Sequence, residues 1–110
     1  MLSEKLNDGL KDMPGSRIQR IREKVRLRQH DMSAHAMEEM AEDGLDIEDV
    51  EQAILNGRVA RIEREDPRGT KYVVQGIGAD GLTPIGSVGR FTGTGRYLII
   101  TVYQITALED

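Results

Sequence analysis

Ala53-Ile54-Leu55-Asn56-Gly57-Arg58-Val59-Ala60-Arg61-Ile62-Glu63-Arg64-Glu65 is where the hydrophobic period changes, and the change divides the chain into a helical half and a sheet half. Before Asn56, Ile47, Val50, Ala53 and Ile54 recur three and four residues apart, which is the spacing of one buried helix face. Asn56-Gly57 is a helix stop, because both residues tolerate the left-handed conformation that ends a helix. From Val59 onward apolar and charged residues alternate, as they do on a strand with one buried face.

Upstream of this point the sequence predicts two further helices. Residues 1–15 carry Gly9, Pro14 and Gly15 with weak periodicity, and are expected to be a loosely ordered leader to a single domain spanning residues 16–110. Ser16 is a candidate N-cap for a helix through Ile18, Ile21 and Val25, although Val25-Arg26-Leu27-Arg28 also fits a short strand. Ser33 begins a second helix with Ala34, Met37, Met40 and Ala41 on its apolar stripe and Gly44 beyond its end. Asp46 caps the third, whose first turn is crowded with acids that the helix dipole favours.

Downstream, four strands are expected over Val59 to Glu65, Thr70 to Ile77, Pro84 to Phe91 and Arg96 to Thr106. Asp66-Pro67-Arg68-Gly69, Ala79-Asp80-Gly81 and Thr92-Gly93-Thr94-Gly95 are the turns, and such short connections make neighbours antiparallel. Strict alternation in the last strand places Leu98, Ile100 and Val102 on one face and Tyr97, Ile99, Thr101 and Tyr103 on the other. With both faces partly apolar this strand is expected to lie centrally, with the first set buried. The reading is an α+β fold: two or three N-terminal helices packed on one face of a four-stranded, mainly antiparallel sheet, whose other face is the natural place for function.

Composition narrows the chemistry. The 110 residues include no cysteine, which removes disulfides, thiolate catalysis and sulfur-ligated metals together. The longest apolar run, Tyr97 to Ile100, is too short to cross a bilayer, and Glu4 and Asp8 stand where a signal peptide needs apolar residues, so a cytoplasmic protein without a membrane partner is expected. The net charge of -4 is unevenly spread. Arg17 to Arg28 holds six basic residues against Glu23, whereas Ala36 to Asn56 holds eight acids and no Lys or Arg. Such runs suit a polyanion, a partner of opposite charge, or a solvated helix surface.

Gly76-Ile77-Gly78-Ala79-Asp80-Gly81 spells the glycine pattern of dinucleotide-binding turns, but Leu82-Thr83-Pro84-Ile85-Gly86 leads into a strand. The helix N-terminus that would hold a pyrophosphate is missing, and the segment reads as an Asp-Gly hairpin. Gly86, Gly89, Gly93 and Gly95 read as devices of a curved, twisted sheet. His35 lies near Glu38 and Glu39 on the second helix, and His30 points elsewhere. Two such groups are too few for a metal, so neither metal nor cofactor is expected. His35 is open to a structural role, packed near the sheet, or to a working one.

Ser33-Ala34-His35-Ala36 with Met40, Gly44-Leu45-Asp46 through Asp49-Val50, Asn56-Gly57 and the closing Thr101-Val102-Tyr103 together resemble a prokaryotic family of domains of unknown function regarded as related to the BrnT and RelE toxins of toxin–antitoxin operons. The resemblance covers roughly residues 25–105. It implies a helix-then-sheet fold and an RNA-cleaving toxin, or an inactive relic of one, held by a small cognate antitoxin. It transfers His35 and Tyr103 as site residues. The sheet reading adds Arg96 as a third catalytic candidate and Arg58, Arg61 and Arg90 as RNA contacts; Arg90 and Arg96 flank one turn and are expected to grip a phosphate together. Arg96 and Tyr103 are an odd seven residues apart, which puts them on opposite faces unless a bulge intervenes. Two departures stand out: Asp43 where relatives carry Arg before the glycine, and a pI near 5.2 where such toxins are basic. The rival expectation is a non-catalytic module that forms a homodimer or docks a partner, and enzymatic activity is left open.

Overall fold

The structure, a computed structural model, describes residues 14–106. Three helices and five strands follow in the order α1 (Pro14–Arg26), β1 (His30–Met32), α2 (Ala34–Glu42), α3 (Ile47–Asn56), β2 (Arg58–Glu63), β3 (Lys71–Ile77), β4 (Pro84–Phe91) and β5 (Tyr97–Gln104). Residues 1–13 of the expected leader lie outside the described residues, and Pro14 and Gly15 already belong to α1. Ser16 is therefore inside the helix rather than its cap, and the helix runs on to Arg26, which excludes a strand over Val25 to Arg28.

The helix signals read from Ser33, Gly44 and Asp46 correspond to real termini. The Ser33 hydroxyl accepts from the Ala36 N–H at 3.0 Å. Asp46 and Asp49 form a reciprocal capping box at the start of α3, and Gly44 has a φ of 71° beyond the end of α2. Asn56 ends α3 and stitches it to the sheet, its amide donating to the Ile77 carbonyl and accepting from the Ile77 N–H, both at 2.8 Å.

The sheet has five strands, not four, in the order β1-β5-β4-β3-β2. The strand missed is β1, which pairs in parallel with β5 through His30–Tyr97, Asp31–Leu98 and Met32–Ile99. The other pairings are antiparallel. A register shift between Val88 and Gly89 leaves Ile100 of β5 unpaired, a β-bulge that reverses which face each later residue occupies.

The bulge corrects the expected core. Tyr97, Ile99 and Val102 are the buried residues of β5, whereas Leu98 and Ile100 are half-buried. One hydrophobic cluster joins them and Tyr72, Val74 and Ile85 to Ile18, Ile21, Val25, Ala36, Val50, Ala53 and Ile54 of the helices. Each fully buried isoleucine contributes about 1.5–3 kcal/mol of transfer free energy. Phe91 sits edge-on to Tyr97 at 5.3 Å and to Tyr72 at 5.7 Å, with the Arg20 guanidinium 4.6 Å above its ring.

Beyond Met32 the outer edge of β5 has no neighbouring strand, and α2 takes its place. Glu39 accepts from the Val102 N–H and Asp43 from the Gln104 N–H, both at 3.0 Å, while the Ser33 hydroxyl donates to the Ile100 carbonyl at 3.0 Å. Asp43 thus satisfies a backbone donor that a basic side chain could not.

Candidate functional site

Pairing defines the face opposite the core cluster row by row. The first row carries Arg58, Gln75, Gly86 and Tyr103, and the second Arg61, Val73, Val88 and Thr101. In the third, Glu63 stands opposite Lys71 and Arg90 opposite Leu98. None of these residues belongs to the core cluster. Arg58, Arg61, Arg90 and Tyr103 therefore share one face.

A register shift at Ala60 brings Arg58 and Arg61 to the same side of β2, and the bulge at Ile100 brings Tyr103 there. Arg96 precedes the core residue Tyr97, and Tyr103 follows the core residue Val102, so the inserted residue brings Arg96 and Tyr103 to the same side despite their odd separation. The expected Arg90–Arg96 clamp is nonetheless absent. Arg96 turns toward β1 and pairs in bidentate fashion with Asp31, at 2.8 and 3.2 Å, and donates to the His30 carbonyl at 3.2 Å. The pairing holds the Asp31 carboxyl below its ordinary pKa and raises that of Arg96. Arg90 reaches instead to the Arg68 carbonyl at 3.4 Å. Arg96 is a staple between β1 and β5, a partnership hidden from the sequence because Asp31 lies 65 residues away.

His35 is not packed near the sheet as a structural role would require. Its side chain is 65% exposed and pairs with Glu39 one turn on at 3.1 Å. The same Glu39 holds the Val102 N–H, so one carboxylate links His35 to the edge of the strand that carries Tyr103. His30 is the buried histidine, its Nε2 3.0 Å from Glu51 and its Nδ1 without a hydrogen-bond partner.

A further group of charges surrounds the β2–β3 turn. Arg61 pairs with Glu63 at 2.9 Å, and Lys71 lies 3.3 Å from Asp66. Asp66 accepts from the Arg68 backbone N–H at 2.8 Å and from its side chain, which depresses its carboxyl to a pKa of about 2. An open concavity of about 640 Å³ there is lined by three acids and three bases that neutralise one another, Glu63, Glu65 and Asp66 against Arg64, Arg68 and Lys71. Among the described residues no group of three His, Cys, Asp or Glu side chains is placed to hold a metal ion, and no helix is long and apolar enough to cross a membrane.

Sequence reasoning missed Gly86. A Cβ at this position would collide with Cζ, Cε2 and the hydroxyl of Tyr103, so the ring leans across from β5 with its far end over β4. Gly89 makes the same room for Tyr97 on the core face. Both glycines make room for rings, and Gly89 also flanks the β-bulge.

Helices that lead into a mixed five-stranded sheet, one face of which holds the core while the other carries arginines around a tyrosine, define a class of small mixed α/β domain. Residues 32–104 match the model of the family described as domain of unknown function DUF4258, and the chain belongs to that family. No curated protein and no solved structure matches the chain. The match begins at Met32, leaving the basic helix α1 outside it.

Proposed function

We propose that the sheet face opposite the core is an RNA-contacting surface, and that the chain is a toxin-type domain of the BrnT/RelE kind, either a metal-independent endoribonuclease or a relic that retains binding. The observation that carries this reading is the gathering of Arg58, Arg61, Arg90 and Tyr103 on one face, which depends on two register shifts, at Ala60 in β2 and at Ile100 in β5. Phosphate contacts supply most of the affinity for RNA, and arginine forks suit them. Of these cations Arg58 and Arg90 have no carboxylate partner among the described residues. Arg96 is paired with Asp31, which leaves Arg58 and Arg90 better placed than Arg96 to receive a phosphate.

Metal-free cleavage needs a base to take the 2′-hydroxyl proton, a cation to stabilise the phosphorane, and an acid to protonate the departing 5′-oxygen. His35, oriented by Glu39 and exposed, is suited to one of the proton transfers, and Arg90 to the charge. A cognate antitoxin would cover this face and neutralise its arginines.

The test is RNA binding by the folded chain and by Arg58→Ala/Arg90→Ala at matched salt. Affinity is expected to fall and the slope of log K against log salt to shrink by about 2, one for each arginine. Induced expression of the parent is expected to arrest growth if cleavage survives. A folded double variant that binds as tightly as the parent places the RNA elsewhere.

The alternative is a non-catalytic module that docks a partner or a second copy through the same face. Its specific support is the apolar centre of the face, with Val73 buried and Val88 and Leu98 half-buried.

A further inference from the structure

Tyr103 reaches the sheet face by a route that says what its ring does there. In an ordinary strand pair a tyrosine stands off the sheet against a Cβ on its neighbour. Here its cross-strand neighbour is Gly86, and the end of the ring occupies the volume a Cβ would fill. The long axis of the ring therefore runs across the strands, toward the next residue in the row, Gln75. Tyr103 is half-buried and has no hydrogen bond from its hydroxyl among the described residues. A glycine inside a strand weakens it relative to alanine. What is obtained for that cost is a ring laid down on the sheet.

We infer that Tyr103 is a stacking platform for one unpaired base of a single-stranded nucleic acid rather than a proton-transfer residue, with Gly86 as the positioning residue that lays the ring down. The inference rests on the RNA-contacting reading of this face and deepens it. Stacking on an aromatic ring requires a base that is not already stacked and paired, so the site selects single strands over duplexes. Gln75, beside the ring in the same row, offers both a donor and an acceptor to the edge of the base, and Arg58 closes the row with a charge suited to the adjacent phosphate.

The experiment uses an oligouridylate of about twenty nucleotides, whose bases are largely unstacked, carrying one 2-aminopurine, whose fluorescence is quenched on stacking, and the same strand annealed to its complement. The parent is expected to bind and quench the single strand and to bind the duplex at least tenfold more weakly. Tyr103→Phe keeps the ring and is expected to stay within twofold of the parent. Tyr103→Leu loses about tenfold or more in affinity together with the quenching, and Gly86→Ala, whose methyl displaces the ring, behaves like Tyr103→Leu. A Phe variant as weak as the Leu variant overturns the inference, because the hydroxyl is then what matters. So does a folded Leu variant that binds and quenches like the parent. If Arg58→Ala/Arg90→Ala loses affinity while Tyr103→Leu does not, the RNA surface stands and only the platform fails; a parent that binds neither strand overturns both.

Discussion

Arg28 adopts a φ of 57°, the left-handed conformation in which a Cβ crowds the following carbonyl. Two hydrogen bonds hold it there: its own N–H donates to the Val25 carbonyl at 3.2 Å, and the Gln29 N–H donates to that of Lys24 at 2.8 Å. This is the Schellman closure of α1, in which glycine is the usual occupant. Arg28→Gly removes the strain without touching either bond, offset in part by the freer unfolded chain. The expected outcome is a gain of up to about 1 kcal/mol, read as a rise of a few degrees in the thermal midpoint. The same residue illustrates how unevenly residue-scale features can be read in advance. Ser33, Asp46 and Gly44 act on backbone groups within four residues and were legible as caps, whereas Arg28 carries no glycine signal and Gly86 acts on a ring from another strand.

At the scale of the element, β5 holds the main correction. Tyr97-Leu98-Ile99-Ile100-Thr101-Val102-Tyr103 is apolar on both sides of the insertion, so hydrophobic alternation alone cannot locate the extra residue. An unbroken strand buries Ile100; the bulged one buries Ile99, at 0% exposure, and Val102. Ile99→Ala should therefore cost about 2–5 kcal/mol and Ile100→Ala clearly less, measured by urea denaturation. Equal costs, or the reverse order, contradict the bulge. The other strand features were lost for a different reason. Three residues of β1 carry too little pattern to announce a strand, and their partner lies more than sixty residues ahead. The four longer strands and the helices α2 and α3 were legible because each spans several periods of its own pattern, most of them bounded by glycine, proline or asparagine, whereas the end of α1 carries no such signal.

Across the described residues the charges separate: α2 and α3 present acids, α1 is basic, and the face opposite the core carries Arg58, Arg61 and Arg90. Which arginines work together was only half legible, since faces follow from strand parity but partners such as Asp31 follow from the chain returning in space. Acid sensitivity is a property of the ensemble. Asp66 and Asp80, in the turns at opposite ends of β3, both have carboxyl pKa values depressed to about 2, Asp66 by Arg68 and Asp80 by the hydroxyl and backbone N–H of Thr83 and the N–H of Leu82. A depressed carboxyl stabilises the fold above its unfolded value and loses that contribution as pH falls through its folded value. Stability should thus decline between about pH 4 and pH 2, and Asp80→Asn should flatten the decline in urea midpoints followed across that window. Finally, the two rims of the sheet are unlike. Along β5 the groups beyond β1 are already taken by Ser33, Glu39 and Asp43, whereas β2 pairs with β3 alone. The other edge strand among the described residues, β1, is only three residues long, so strand exchange or fibril growth is favoured at β2, where a second register shift at Ala60 and the arginines at 58, 61 and 64 oppose it; a chain that aggregates should do so through a polarised template.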